Sequence, residues 1–407
     1  MQGADRPSDR ALLVALNAAP GLPRAALCRL GLAVEHWRGG VPADAQQALA
    51  DRFSIPLDSI RLALAVIAQA PRALAAEELA AERLGARIVT RLESDYPGRL
   101  ADLALPPPVL EISGARAPLL EEAGADEKPP AEPLAAVGSR AAGPPTVAIV
   151  GSRKATPYGL EVASWLAREL AEEGVVVVSG FARGIDAAAH LGALAADHGR
   201  TVGVLGCGLS IDYPKGHREL GERIRRRGAL VSEFPCAQKP TPGNFPVRNR
   251  IIAALAEITV VVEAAAHSGS LITARLALDL GREVLAVPGR ITDEQALGTN
   301  DLLRDGAGPV THPADILERL GLGVGGPRRA AATSAAERAA SPRNPPDLPP
   351  VQAALYAALD PARDLGVDVL ARRAEIGIEI AVAALLEMEL AGWAIRVAGG
   401  GYRRGTP

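Results

Sequence analysis

From Thr146 to Gly308 the chain alternates short, largely apolar runs with helical segments, and a turn follows most of the runs. Val147 to Val150, Val175 to Val178, Thr201 to Leu205, Ala229 to Ser232, Thr259 to Val262 and Glu283 to Val287 are too short for helices and lack polar alternation. A strand without alternation is covered on both faces. Between these runs, Tyr158 to Glu173, Asp186 to Ala196, Arg218 to Arg227, Val247 to Leu255 and Leu271 to Leu280 read as helices. The pattern predicts an α/β fold with a Rossmann-like, doubly wound, mostly parallel sheet, because parallel neighbours need a crossover between them. Right-handed crossovers then gather the turns that follow strands along the carboxyl edge, where such sheets bind ligands.

Those turns carry the candidate site. Gly151, Ser152 and Arg153 end the first run; Ser179, Gly180, Arg183 and Gly184 end the second. Phe245, Arg248, Asn249 and Arg250 open one helix, and Ser268, Gly269, Ser270 and Thr273 open another. Glycines let backbone N–H groups approach an anion, and helix N-termini add positive potential. Arginine offers a planar fork of donors to phosphate. Each residue also has a purely structural reading. Arg153 can be solvated at a strand end, Arg183 can pair with Asp186 or Glu233, and Ser268 or Ser270 can cap a helix. The most telling pair is Arg248 and Arg250, since two cations in a first helical turn oppose the helix dipole unless an anion faces them. The turns lack the G-x-G-x-x-G and G-K-[ST] patterns of nucleotide sites, which points away from NAD and ATP. Asp186 is placed to cap a helix, and with His190 four residues on it has no third partner at metal-ligand spacing, so neither a metal nor a cofactor is expected. Only Phe245 and Phe181 offer aromatic faces, so binding should rest on phosphates with little base preference.

Composition sets limits on the rest. Hydrophobic residues make up 48% but aromatics only 3%, so the core must be aliphatic. A formal net charge of −3 excludes a protein that coats duplex DNA through bulk charge, leaving a local groove. Three cysteines, Cys28, Cys207 and Cys236, show neither C-x-x-C spacing nor an even count, as expected in a reducing cytosol. No apolar run is long enough to span a bilayer, so a cytoplasmic chain without membrane insertion is expected.

The flanks differ in kind. Residues 9–80 read as short helices, with Pro20-Gly21 between two of them, resembling helix-hairpin-helix and SAM-like modules. Segments 113–145 and 323–350, rich in proline and alanine, read as flexible linkers around a 146–320 core. Val137 to Arg140 copies the Val150 to Arg153 tetrapeptide without a strand before it or a helix after it, so context decides its meaning.

Ala148 to Ala155, Ser179 to Asp186, Tyr213-Pro214, Asn244 to Ile252, Ser268 to Ala274, Ala286 to Gly289 and Gly298 to Asn300 together resemble the DNA-processing protein A family (DprA, also called Smf). The resemblance implies a homodimer formed through the Rossmann-like core that binds single-stranded DNA and has no enzymatic activity. It further implies protection of incoming DNA and loading of the RecA recombinase in natural transformation. By motif position, Arg183, Arg248 and Arg250 stand where the family has basic DNA contacts, with Gly269 and Ser270 giving backbone contacts. Two departures are His217, where many members have Asn, and the long insertion before the core. Residues 351–403 resemble the family's winged-helix extension, with helices Val351 to Leu359, Val369 to Arg373 and Ile380 to Ala391. Its wing comprises Trp393 to Val397, the Gly399 to Gly401 turn and Tyr402-Arg403. The recognition stretch Glu375 to Ala391 holds four glutamates and no Lys or Arg, which argues for a protein contact rather than a DNA groove. The alternatives are a nucleotide phosphoribohydrolase of the lysine-decarboxylase-like family, which needs a glutamate where this chain has Thr273, and a winged-helix transcription regulator.

Overall fold

The computed structural model describes residues 7–37, 40–114, 143–322, 348–359, 365–390, 393–396 and 401–404. The Val137 to Arg140 copy, most of both expected linkers and the Gly399-Gly400 part of the expected wing turn lie outside them. Contacts divide the chain into two compact units, Met1–Gly323 and Val324–Pro407.

Among the described residues, the first unit opens with six α-helices: α1 (Asp9–Ala18), α2 (Arg24–Leu32), α3 (Val34–Trp37), α4 (Gln46–Phe53), α5 (Leu57–Val66) and α6 (Ala70–Arg83). Ser8 caps α1 by accepting from the Ala11 amide. The expected break falls at Pro20-Gly21, where Gly21 takes φ 83°. Leu12, Leu13, Leu16, Leu27, Leu30 and Trp37 are buried together. Arg24, the cation next to that turn, does not face outward: it donates to Asn17 and to the Glu233 carbonyl and stacks over Phe234 at 4.6 Å.

A nine-stranded sheet follows, built from β1 (Ala86–Thr90), β2 (Val109–Ser113), β3 (Thr146–Val150), β4 (Val176–Ser179), β5 (Thr201–Val204), β6 (Ala229–Ser232), β7 (Ile258–Val261), β8 (Glu283–Ala286) and β9 (Gly308–Pro309). The spatial order is β1-β2-β6-β5-β4-β3-β7-β8-β9. Strands β3 to β9 pair in parallel, as the unalternated apolar runs imply, and β3 to β7 are buried along their whole length. The crossovers are α7 (Pro157–Glu172), α8 (Ile185–Ala195), α9 (Arg218–Arg227), α10 (Asn244–Leu255) and α11 (Gly269–Asp279), with α12 (Leu297–Arg304) and α13 (Pro313–Arg319) closing the unit. Strands β1 and β2 are an addition to the expected core: they run antiparallel and join the sheet at β6. The chain proceeds outward from β3 to β6 in one direction and from β7 to β9 in the other, so the order reverses beside β3. In open α/β sheets the ligand crevice lies at that reversal.

The second unit has helices Pro350–Ala358, Val367–Arg373 and Ile378–Leu390 and a hairpin pairing Ala394–Arg396 with Tyr402–Arg404. Leu355, Leu370, Leu385, Met388 and Tyr402 make its core. Among the described residues, three helices and a two-stranded wing make the winged-helix pattern the sequence implies. Among the described residues, no single helix is long and apolar enough to cross a membrane.

Candidate nucleic-acid interface

The carboxyl edge around β3 holds two adjoining hollows, of about 680 and 860 Å3. Arg153, Lys154, Phe245 and Arg248 line both. The first hollow opens between the β3 turn and the start of α11, and takes in Gly151, Ser152, Asn249 and the Ser268 to Ser270 corner with Thr273. The second runs past Gly180 and Arg183 toward Tyr213, Lys215 and Lys239.

Each turn has a local cause. Ser152 donates its amide to the Glu263 carbonyl at 2.7 Å, and its hydroxyl accepts from the Lys154 amide at 3.0 Å. That bends the chain so that Arg153 and Lys154 stand exposed at the mouth. Glu263 also accepts from Thr156, whose hydroxyl caps α7. Gly184 has φ 78°, and a Cβ there would lie 2.3 Å from the Ser152 carbonyl oxygen. Only glycine lets the β3 and β4 turns pack that closely. Ser268 caps α11 by accepting from the Ser270 amide, and Asn249 donates to the Gly269 carbonyl at 3.2 Å, tying α10 to that corner.

The arginines of α10 correct the expectation drawn from the helix dipole. The helix begins at Asn244, not Val247, so Arg248 and Arg250 lie in its second turn, where the dipole argument weakens. Their anions are internal. Arg248 is 4% exposed, donates to the Gly180 and Val204 carbonyls, and sits beside the Asp186 carboxylate. Burial pushes its guanidinium down to about 10, with Asp186 opposing that shift. Burial likewise raises Asp186, while Arg248 and the Ala182 amide pull it back. Arg250 turns to the other side of the helix and pairs with Glu233 at 2.6 Å, where Glu233 is 1% exposed. It lines neither hollow. Residues two apart on a helix point about 200° apart, so Arg248 and Arg250 cannot serve one groove.

Other placements follow from the same packing. Gly180 lacks a Cβ because Asp186 and Arg248 flank it: an added carbon would lie 2.6 Å from the Asp186 carboxylate. Gly184 serves the Ser152 contact, so neither glycine is spared for a phosphate. Ser179 is buried and donates to the Ile149 carbonyl. Asp186 is not the cap of α8, a position held by Gly184; its carboxylate accepts from the Ala182 amide instead. His190 is fully buried, with Nδ1 2.7 Å from the Thr201 hydroxyl. Cys207 is buried, as a core or turn residue would be.

The exposed basic residues of the hollows are Arg153, Lys154, Arg183, Lys215 and Lys239. Arg183 rests against the Lys215 carbonyl. The Arg153 guanidinium lies 4.9 Å above the Phe245 ring, and Tyr213 packs beside that ring at 5.5 Å with a 35° tilt. Of these, Lys154 and Tyr213 fall within the quoted family motifs without being expected site residues, and Lys215 and Lys239 fall outside them. Lys154 adjoins Arg153 and Lys215 follows Tyr213-Pro214, so adjacency to the quoted motifs was the available signal. The arrangement is a mainly cationic rim, with Asp212 and Glu294 as exposed acids, around a tilted aromatic pair.

Residues 137–321 match the family of DNA recombination-mediator protein A, and residues 339–400 match the DprA winged helix domain. Protein Smf of Escherichia coli (strain K12) is 41% identical over 262 residues, covering 63% of this chain and 67% of that protein. The chain belongs to the DNA recombination-mediator protein A family. A putative DNA processing protein DprA of Mycobacterium tuberculosis is 49% identical over 178 residues, spanning 44% of this chain and 46% of that protein. The match thus covers about two thirds of one relative and under half of the other. The crystal structure of DprA from Streptococcus pneumoniae has a TM-score of 0.61 and 28% identity, covering 77% of this chain and 98% of that chain. The Rossmann-like sheet and the C-terminal winged helix are therefore features of the family.

Proposed function

We propose that this protein binds single-stranded DNA along the two hollows and acts, without catalysis of its own, as a recombination mediator. In this reading it protects incoming DNA in the cytoplasm and loads RecA during natural transformation, as a homodimer formed through the Rossmann-like core. The observation that carries the proposal is the rim of Arg153, Lys154, Arg183, Lys215 and Lys239 around the Tyr213–Phe245 pair. Cations spaced along a groove hold successive phosphates. Tilted aromatic faces accept unstacked bases, which a duplex does not present. Family membership supports the wider role, and Thr273, buried at the α11 corner, stands where a phosphoribohydrolase would need a glutamate.

Titration of single-stranded and duplex oligonucleotides at several salt concentrations tests it. Tight single-strand binding is expected, with log affinity falling against log salt by roughly 0.7 per phosphate neutralised. The Arg153→Ala/Lys215→Ala variant should lose about tenfold or more, since charge-assisted hydrogen bonds contribute about 1.5–3 kcal/mol each. Equal affinity of variant and wild type, or preference for duplex, overturns the reading. Release of free adenine from AMP by the purified protein would overturn its non-enzymatic part. RecA loading is tested by filament assembly on strands already coated with single-strand-binding protein.

A further inference from the structure

A second constellation, none of whose residues lines either hollow, lies where the helical segment meets the antiparallel edge of the sheet. Glu77 of α6, Glu111 of β2 and Cys236 in the turn after β6 converge there, with one carboxylate oxygen of each glutamate and the Cys236 Sγ all within 4.8 Å of one another. They come from three separate parts of the sequence, and the β2–β6 pairing that sets Glu111 opposite Ser232 fixes two of them. The Cys236 amide donates to Glu77 Oε2 at 3.2 Å and holds the third.

The cluster is not an ordinary acidic surface. Glu111 is 2% exposed, and its Oε2 is buried without a hydrogen-bond partner. A buried carboxylate oxygen left unpaired is costly unless a proton or a cation meets it. Cys236 is 1% exposed, while Glu77 is half-buried and gives the cluster a side toward solvent. Two carboxylates and a thiolate suit a cation of double charge, and the Arg24 guanidinium attracts Glu233 first and Glu111 more weakly.

We propose that Glu77, Glu111 and Cys236 form a binding site for a thiophilic divalent cation of the zinc class, which clips the helical segment to the sheet edge. The thiolate selects zinc-like ions over magnesium or calcium, and two carboxylates complete a mixed donor set. Bond lengths of about 2.0–2.3 Å require the three donors to close slightly. Glu77 makes that adjustment, because its side chain has solvent on one side. Three protein ligands leave a fourth position for water on that side. The site shares no residue with the lining of the two hollows, so failure of one reading leaves the other standing.

The test uses the full chain, stripped with a chelator. Cobalt(II) titration should produce a thiolate charge-transfer band in the near ultraviolet that saturates at one metal per chain, and zinc should displace it. Cys236→Ser should abolish the band. Cys28→Ser, at a buried thiol outside the cluster, should retain it. Glu111→Gln keeps the shape of the side chain and should weaken binding by about tenfold or more. Zinc should raise the thermal midpoint of the wild type but not of Cys236→Ser, with both variants matching the wild-type far-ultraviolet spectrum without metal. Absence of stoichiometric binding would show that Glu111 is simply held as a carboxylic acid against Glu77. A band that survives in Cys236→Ser would place the metal elsewhere. Either result sinks the proposal.

Discussion

The sheet edge carries two sets of cations that look alike in sequence and do opposite things. Arg153, Lys154, Arg183, Lys215 and Lys239 stand exposed on the rim. Arg248 and Arg250 lie within the protein, one beside Asp186 and the other on Glu233. The rim cations sit on turns, which have no second side to bury. Those of α10 sit on a crossover helix packed against the sheet, where a long side chain must find its partner inside. A basic residue near a glycine turn is therefore evidence for an anion site only when its own backbone leaves it facing outward. The buried pair still serves the site: Arg248 bridges the Gly180 and Val204 carbonyls and so fixes the floor beneath the β4 and β5 turns.

The largest effect that could break this comparison is at the floor. Arg248→Ala removes one member of a buried charge pair and strands Asp186. It should cost about 3–5 kcal/mol of stability in urea unfolding. If the variant unfolds like the wild type and loses only DNA binding, Arg248 belongs with the rim after all.

At the rim, Phe245→Ala should weaken single-strand binding by about 1–3 kcal/mol, the contribution of one stacked base. The salt slope should stay as in the wild type, because no phosphate contact is removed. A changed slope would mean that Phe245 acts mainly by steadying Arg153.

The floor also has a pH signature. Burial holds His190 down at about 3, against 6.5 in the unfolded chain. Between those values the unfolded state binds more protons, so stability falls as pH falls through that window. The slope contributed by one such group approaches 1.4 kcal/mol per pH unit, roughly the value of one proton. His190→Asn should flatten the acid limb of a stability-versus-pH curve, and an unchanged limb would show that His190 titrates normally.

The smallest effect is expected in the winged-helix unit, which sharpens the comparison by contrast. Helix Ile378–Leu390 exposes Ile378, Val382 and Leu386 along one ridge, with Glu379 and Glu387 on the next. A phosphate backbone is repelled by such a surface. Glu379→Gln with Glu387→Gln should change single-strand affinity by less than about twofold, read by fluorescence anisotropy. A tenfold gain would show that this helix approaches DNA closely enough for its charge to matter.

Much of the architecture was legible in the chain itself. Unalternated apolar runs separated by helical segments dictated a parallel, doubly wound sheet, because each run had to be covered on both faces. Helix limits fell within a few residues of those read, and where they slipped the consequence was large: moving the start of α10 from Val247 to Asn244 removed the reason for an anion at Arg248. Strands β1 and β2 were not read, since their pairing with β6 depends on contacts distant in sequence. The turns that hold Arg153, Arg183 and Ser268 were legible because their geometry is local. Lys239 was not, since it reaches the groove only through the fold of the segment after β6.

By itself, then, the sequence determined the layering of the core, the edge at which the turns gather and the winged-helix pattern of the last unit. These follow from periodicity and from short-range turn chemistry. Only the tertiary structure decided which charges face solvent, because that depends on which residue from a distant strand arrives to meet each one. Asp186 came to Arg248, Glu233 came to Arg250, and Glu77, Glu111 and Cys236 came to one another. Burial removes water as the alternative partner, so a buried charge must be met by whatever the fold brings to it, and spacing along the chain does not disclose what that will be.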